Sequence, residues 1–301
     1  MSHHHHHDHS DLNHHHGSND NIKIAFFLNS LFTVIEIVGG VLTNSVAILS
    51  DALHDLGDTL SLGLAWYFQK ISSKGRDKIF SYGYKRFSLL GAIINAIILV
   101  AGSIFILFET IPRLIAPEPS DAKGMIILAV LGVLFNGAAI LRLRRGSSIN
   151  EKVVRLHLME DVLGWVAVLI GAVVMYFFDV PVIDPILSLL ISAFILFNVT
   201  KSLKQTFQII LQGIPVNADV EAIKSYLLNL PEIDDYHDFH IWSMDGEYNI
   251  LTVHLVLHKN LSMGELNDLK VSIKNNLDKK GVDHATIEFE NNQEECALVD
   301  C

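Results

Sequence analysis

Six apolar runs follow one another between residues 22 and 203, near 22–43, 45–70, 86–110, 122–142, 153–178 and 182–203. Each has roughly the 20 residues that a helix needs to cross a hydrocarbon core about 30 Å thick. The connectors alternate in charge. Residues 72–86 and 142–152 and the Lys201/Lys204 pair are basic, whereas Thr43-Asn44, residues 112–123 and residues 177–181 carry few cations. Basic loops stay in the cytosol, so both termini are expected there. From Gln212 the pattern is that of a soluble domain. Residues 217–228 have a helical period, and DDYHDFHIWSMDG and EYNILTVHLVLHK alternate as two strands joined near Asp245-Gly246. Ser262 to Lys279 is a helix opened by the capping box SMGE and ended by Gly281, and HATIEFE makes the last strand. The expected fold is an α-helical membrane protein of six transmembrane helices with a C-terminal cytoplasmic α+β domain in the order α-β-β-α-β.

This pattern divides the chain into a His-rich tail over 1–21, a transmembrane domain over 22–211, a soluble domain over 212–292 and a Cys-containing tail over 293–301. Composition sharpens the division. The 301 residues are 50% hydrophobic and 18% charged, too apolar for an ordinary soluble protein. The net charge of −11 lies wholly beyond Gln212, where 17 acidic residues face 6 basic ones. That excess is read either as a solvated surface or as two acidic domains that repel in a dimer until a cation neutralises them. No nucleic-acid partner is expected. Cys296 and Cys301, the two cysteines, support no disulfide framework. No cleaved signal peptide is expected, since the first span itself would direct insertion.

The chemistry sits in NSVAILSDALHDLGDTLSLGLAWYF, residues 44–68, where Asp51, His54, Asp55 and Asp58 interrupt an apolar run. At 100° per residue they share one helical face, with His54 and Asp58 one turn apart. His157 and Asp161, in RLHLMEDVLGWVAVLIGAVVMYFF, repeat the spacing on another apolar helix. Two such helices packed face to face would converge two imidazoles and two carboxylates, a donor set suited to tetrahedral zinc. The bland alternative, pairing with Lys or Arg on neighbouring helices, lacks a cation at matching depth. Asp51 and Asp55 flank the ligand face and are candidates for orienting an imidazole, Asp51 also for relaying protons. Glu36 is expected to be protonated or to face a water-filled cavity, and Asp184, just before Pro185, to cap a helix.

SDALHDLGD in one helix and HLMED in another resemble the paired metal-site motifs of the cation diffusion facilitator family, zinc/proton antiporters that include the bacterial cobalt-zinc-cadmium efflux type and are related to eukaryotic zinc transporters. The resemblance runs across the whole chain. It implies a transport site of His54, Asp58, His157 and Asp161. It further implies a metallochaperone-like C-terminal domain and a homodimer that exports Zn²⁺ in exchange for H⁺ by alternating access. Cd²⁺, Co²⁺ and Ni²⁺ are expected as secondary substrates. The compact loops resemble those of bacterial members, which points to the bacterial inner membrane. A second zinc site found in some members between the second and third spans is not expected, because that loop holds Asp77 and no His. Its Tyr82, Tyr84, Lys85 and Arg86 look like an interfacial anchor.

By the same similarity His237, His254 and Glu290 match one cytoplasmic zinc site, and His284 with Cys296 and Cys301 resembles a second, although the cysteines are spaced Cys-x-x-x-x-Cys rather than Cys-x-x-Cys. His3, His4, His5, His6, His7, His9, His14, His15 and His16 form two clusters without core-forming residues. They are read either as an appended tag or as a loose cytosolic zinc collector. Zn²⁺ is thus expected both as the transported ion and as a structural or regulatory one. Two rival classes remain. An intramembrane metalloenzyme would keep an open coordination position and a base, as in HExxH, where this chain has HDLGD and HLMED. A zinc sensor without transport is the other.

Overall fold

The computed structural model describes residues 27, 30–143 and 149–291. Helices come first: α1 Ser30–Thr43, α2 Val46–Ser72, α3 Phe87–Ile115, α4 Ala122–Leu143, α5 Ile149–Phe178 and α6 Ile183–Ile210. Then follow α7 Val220–Leu228, β1 Ile233–Ser243, β2 Asn249–Leu257, α8 Met263–Asp278 and β3 His284–Asn291. The chain is a multi-pass membrane protein. Helices α3 to α6 are each long and apolar enough to cross a bilayer. Helix α2 has the length, at 27 residues, but Asp51, Asp55 and Asp58 break its apolar character. That departure marks it as the helix carrying chemistry.

The chain divides into two compact units. Among the described residues, one joins those up to Leu64 with those from Ile94 to Thr200, and the other joins Ala65–Ile93 with those from Lys201 to Asn291. Within the first, Trp165 on α5 is fully buried with Phe32, Ile48, Met125 and Ala129. Phe32 stacks on Phe135 at 5.3 Å between ring centroids and meets Trp165 edge-on at 5.5 Å. Helices in lipid gain little from apolar burial and associate through close packing at small residues. A Cβ at Gly57 would collide with Leu99, and one at Gly102 with Leu53, so these two glycines set the approach of α2 to α3.

Asp184 does cap a helix, though not its own. From the first turn of α6 its carboxylate accepts the N–H groups of Val46 at 2.9 Å and Ala47 at 3.3 Å, and the Ser45 hydroxyl. The start of α2 therefore meets a buried anion, which satisfies amides that a helix leaves unpaired and complements its dipole. On the same side Arg113 donates to the Asn44 carbonyl at 2.9 Å and to its side-chain oxygen at 3.0 Å. Asn44 needs that support because its φ of 52° is left-handed. Further along α2, the Ser50 hydroxyl lies 2.7 Å from that of Ser188 on α6, itself 2.8 Å from Thr110 on α3. Helix α2 is thus pinned at its start.

In the second unit β1 pairs antiparallel with β2, and β2 parallel with β3, in the order β1-β2-β3. Helices α7 and α8 cover one face through Ile223, Leu227, Leu269, Ile273 and Leu277, which meet Leu251, Val253 and Leu255 of β2. The expected capping box is present, with Ser262 accepting from the Glu265 amide and Glu265 from the Ser262 amide. That amide holds the Glu265 carboxyl below the usual carboxylate range. Helix α7 starts at Val220, capped by Asp219, three residues later than the sequence period implies.

Replacing Asp184 by Ala is expected to destabilise the membrane domain by about 2 kcal/mol, because it strands amides at the start of α2. Asp184→Asn, which keeps an acceptor, should lose less. Thermal unfolding in detergent measures the difference; equal midpoints for both variants and the parent would contradict the capping role.

Candidate metal centres

Helices α2 and α5 bring three of the four expected ligands to one place. Donor atoms of His54, Asp58 and His157 all lie within 4.8 Å of one another. Asp58 Oδ2 is 3.2 Å from His157 Nε2 and 3.6 Å from His54 Nε2. Donors about 2.0–2.1 Å from a tetrahedral zinc ion stand roughly 3.3 Å apart. These contacts therefore fit edges of one coordination tetrahedron. Asp161 Oδ2 lies 3.8 Å from His157 Nε2 but outside the trio. Its side chain is 2% exposed against 33% for His157, so it stands behind the open donors.

Behind the trio the acidic character deepens. Glu36 on α1 and Asp51 and Asp55 on α2 are buried, and Glu36 neighbours Asp51, Asp55, Asp161 and Trp165. Both Glu36 oxygens, both Asp161 oxygens and one oxygen each of Asp51 and Asp55 lack a hydrogen-bond donor among the described residues. Neither Asp51 nor Asp55 hydrogen-bonds His54 or His157, so the expected orienting role is not the arrangement found here. Asp51 instead lines a cavity of about 390 Å³ with His54, Asp161, Gly164 and Phe194. Glu36 does not line it.

The second cluster lies on the sheet face opposite α7 and α8. His237 and His254 are partners across β1 and β2, and Glu288 opposes His254 from β3. Side chains alternate along a strand, so Glu290, two residues on from Glu288, shares their face. The Glu290 carboxylate bridges both rings, 2.8 Å from His237 Nε2 and 2.6 Å from His254 Nδ1. Two imidazole nitrogens and a carboxylate, gathered within 4.8 Å, fit a zinc-type ion taking the place of the protons in these two hydrogen bonds.

Asp238 joins this cluster against the alternation of its strand. The β1–β2 register shifts between His237 and His240, and Asp238 has a left-handed φ of 49°. This bulge brings its carboxylate to 3.5 Å from His254 Nε2 and 2.8 Å from His240 Nε2. Sequence reasoning missed it because residue 238 should face away from His237. His258, just past β2, pairs with Asp234, and His284 stands at the start of β3 with its ring against Tyr82. His284 is not part of the His237 cluster. Cys296, Cys301 and the N-terminal histidines lie outside the described residues.

Residues 22–211 match the family model of the cation efflux transmembrane domain, and residues 215–292 that of the cation efflux protein cytoplasmic domain. The metal cation efflux system protein CzcD of Cupriavidus metallidurans is 35% identical over 91% of this chain and 87% of its own. The cadmium, cobalt and zinc/H(+)-K(+) antiporter of Bacillus subtilis is 33% identical over 92% of this chain and 91% of its own. The zinc transporter ZitB of Escherichia coli is 33% identical, with coverages of 92% and 88%.

The two clusters should be separable in solution. In a Co²⁺ titration of the full chain followed by visible absorption, Glu290→Ala is expected to weaken one class of site at least about 100-fold and Asp58→Ala the other. A single variant abolishing both classes would show that they are not independent centres.

Proposed function

This chain belongs to the cation efflux family, the cation diffusion facilitators, and from that premise we propose that it exports Zn²⁺ from the cytosol in exchange for protons, working as a homodimer in a bacterial inner membrane. Efflux of divalent metal cations is the property of the family as a whole. The finer reading rests above all on the convergence of His54, Asp58 and His157 in the membrane domain, with contacts of 3.2 and 3.6 Å between the carboxylate and the two imidazoles. Asp161, 3.8 Å from His157, completes the set by a small displacement of α5 against α2. Nitrogen donors favour Zn²⁺ over harder ions that prefer all-oxygen sites. The name of the ZitB relative adds support for zinc, and that of the Bacillus antiporter for exchange against protons.

Coupling follows from the ligands. An imidazole must shed its proton to bind the ion, so protons arriving from outside compete with Zn²⁺ and promote its release. A carrier of this kind needs a site that opens to each side in turn. The basic loops support a cytosolic location for both termini. The cluster at His237, His254 and Glu290 is proposed as a second, resident Zn²⁺ site. Zinc there would offset the acidic charge of the C-terminal domain and favour pairing of two such domains.

Zinc uptake into acid-inside proteoliposomes tests the reading. The intact protein should show gradient-driven flux, which Asp58→Ala and His157→Ala should each reduce at least about 100-fold. Glu290→Ala should leave flux measurable. Zinc bound by the intact protein without any gradient-driven flux would overturn transport, and flux that follows a K⁺ gradient but ignores pH would overturn proton coupling.

A further inference from the structure

The Arg86 side chain makes no hydrogen bond or ion pair with any described residue, and its Nε is buried without a partner. It ends the connector between α2 and α3, one residue before α3 begins. Around it lies a pocket of about 430 Å³ whose walls include Phe80, Tyr82, Gln212 and Trp242. No Asp or Glu lines this pocket, and Arg86 is its one charged residue among those described. Its volume falls within the roughly 300–1,000 Å³ usual for small-ligand sites. The buried Nε has given up hydration without a partner, and the guanidinium has no counterion among the aromatic walls. An anion would restore that balance through the paired N–H donors of the fork.

The connector is built to hold this shape. Asp77 Oδ1 accepts the amides of Ile79 and Phe80, each at 2.8 Å, and Oδ2 accepts the Tyr84 hydroxyl at 2.7 Å. Those donors hold the Asp77 carboxyl below its ordinary range, so it stays an anion committed to the turn. Lys85 is also engaged, with its ammonium 4.2 Å from the centre of the Tyr248 ring. From the other side Gln212, just beyond α6, has a left-handed φ of 60°, a position that usually favours Gly.

The place of the pocket along the chain suggests its occupant. Alternate crossing by six helices puts the end of α2, the start of α3 and the end of α6 on the same side of the bilayer, and the ends of spans meet the headgroup layer. Arg, Tyr and Trp are the side chains favoured at that depth, and basic pockets there take anionic headgroups. The start of α3 adds the positive end of its dipole. We propose that the pocket around Arg86 binds the phosphate of an anionic phospholipid headgroup, with the guanidinium as its anchor and the aromatic walls shielding the contact. The site is separate from both metal clusters and does not depend on which ion is transported.

The test uses the full-length protein purified in detergent and titrated with phosphatidylglycerol, with retained lipid counted by native mass spectrometry and Trp242 fluorescence followed in parallel. Inorganic phosphate forms a second arm. Arg86→Gln is expected to weaken phosphatidylglycerol retention about tenfold or more, the usual cost of a charge-assisted hydrogen bond. Arg76→Gln, an exposed change in the same connector, should leave it unchanged. A Trp242 fluorescence response to phosphate alone, equal to that given by the lipid, would overturn the lipid source. Equal retention by Arg86→Gln and the parent, or equal losses in both variants, would overturn the site. Should Arg86→Gln fail to fold, Arg86→Lys against Arg76→Lys makes the same comparison, because lysine keeps the charge and loses the fork.

Discussion

A carboxylate surrounded by hydrocarbon is stable only against a cation, a proton or a dense set of hydrogen-bond donors. The membrane domain uses these solutions in different places. Asp184 meets its need with donors, the backbone amides and the hydroxyl at the start of α2. Asp58 faces two imidazoles. Glu36, Asp51, Asp55 and Asp161 have buried oxygens without donors among the described residues, and so call for a proton or a cation instead. Helix α2 joins all three arrangements. Its start is fixed by Asp184, its middle holds the donors, and the glycine contact between Gly57 and Leu99 sets its distance from α3.

Much of this was legible because helical periodicity is local. The spacing of His54 to Asp58 and of His157 to Asp161 needs only the geometry of one helix, and the six apolar runs needed only length and hydropathy. What the sequence left open depends on contacts between distant residues. Asp184 was recognisable as a capping residue, but its target lies 138 residues earlier in the chain and on another helix. Likewise, the displacement of Asp161 from the trio depends on how α5 sits against α2, which spacing within α5 leaves undetermined. Glu36 stood out as expensive, yet its neighbours come from α2 and α5 and appear only once three helices are packed.

The C-terminal domain shows the same boundary between local and distant information. Alternation gave its strands, the SMGE capping box gave the start of α8, and similarity gave His237, His254 and Glu290. A bulge defeats alternation, however, and the left-handed turn at Asp238 brings an extra carboxylate onto the histidine face. Arg86 belongs with these cases. As one cation in a basic connector it looked like an anchor at the membrane surface. Only the packed connector separates it from Lys85, which already has an aromatic partner.

The two metal clusters differ in a way that bears on their proposed uses. In the membrane domain the closest imidazole–carboxylate contacts run from 3.2 to 3.8 Å, near the spacing of donors around an ion. In the C-terminal domain Glu290 already touches both rings at 2.6 and 2.8 Å, so an ion must displace formed hydrogen bonds. Backbone hydrogen bonds across three strands hold that second set to a fixed register, whereas no such ladder ties α2 to α5, and helices packed by side chains alone have no register of that kind. A carrier needs donors that gather and release an ion as helices move, and a resident site needs donors that stay. Held on two helices with no ladder between them, the first set suits the proposed passage; fixed across paired strands, the second suits retention.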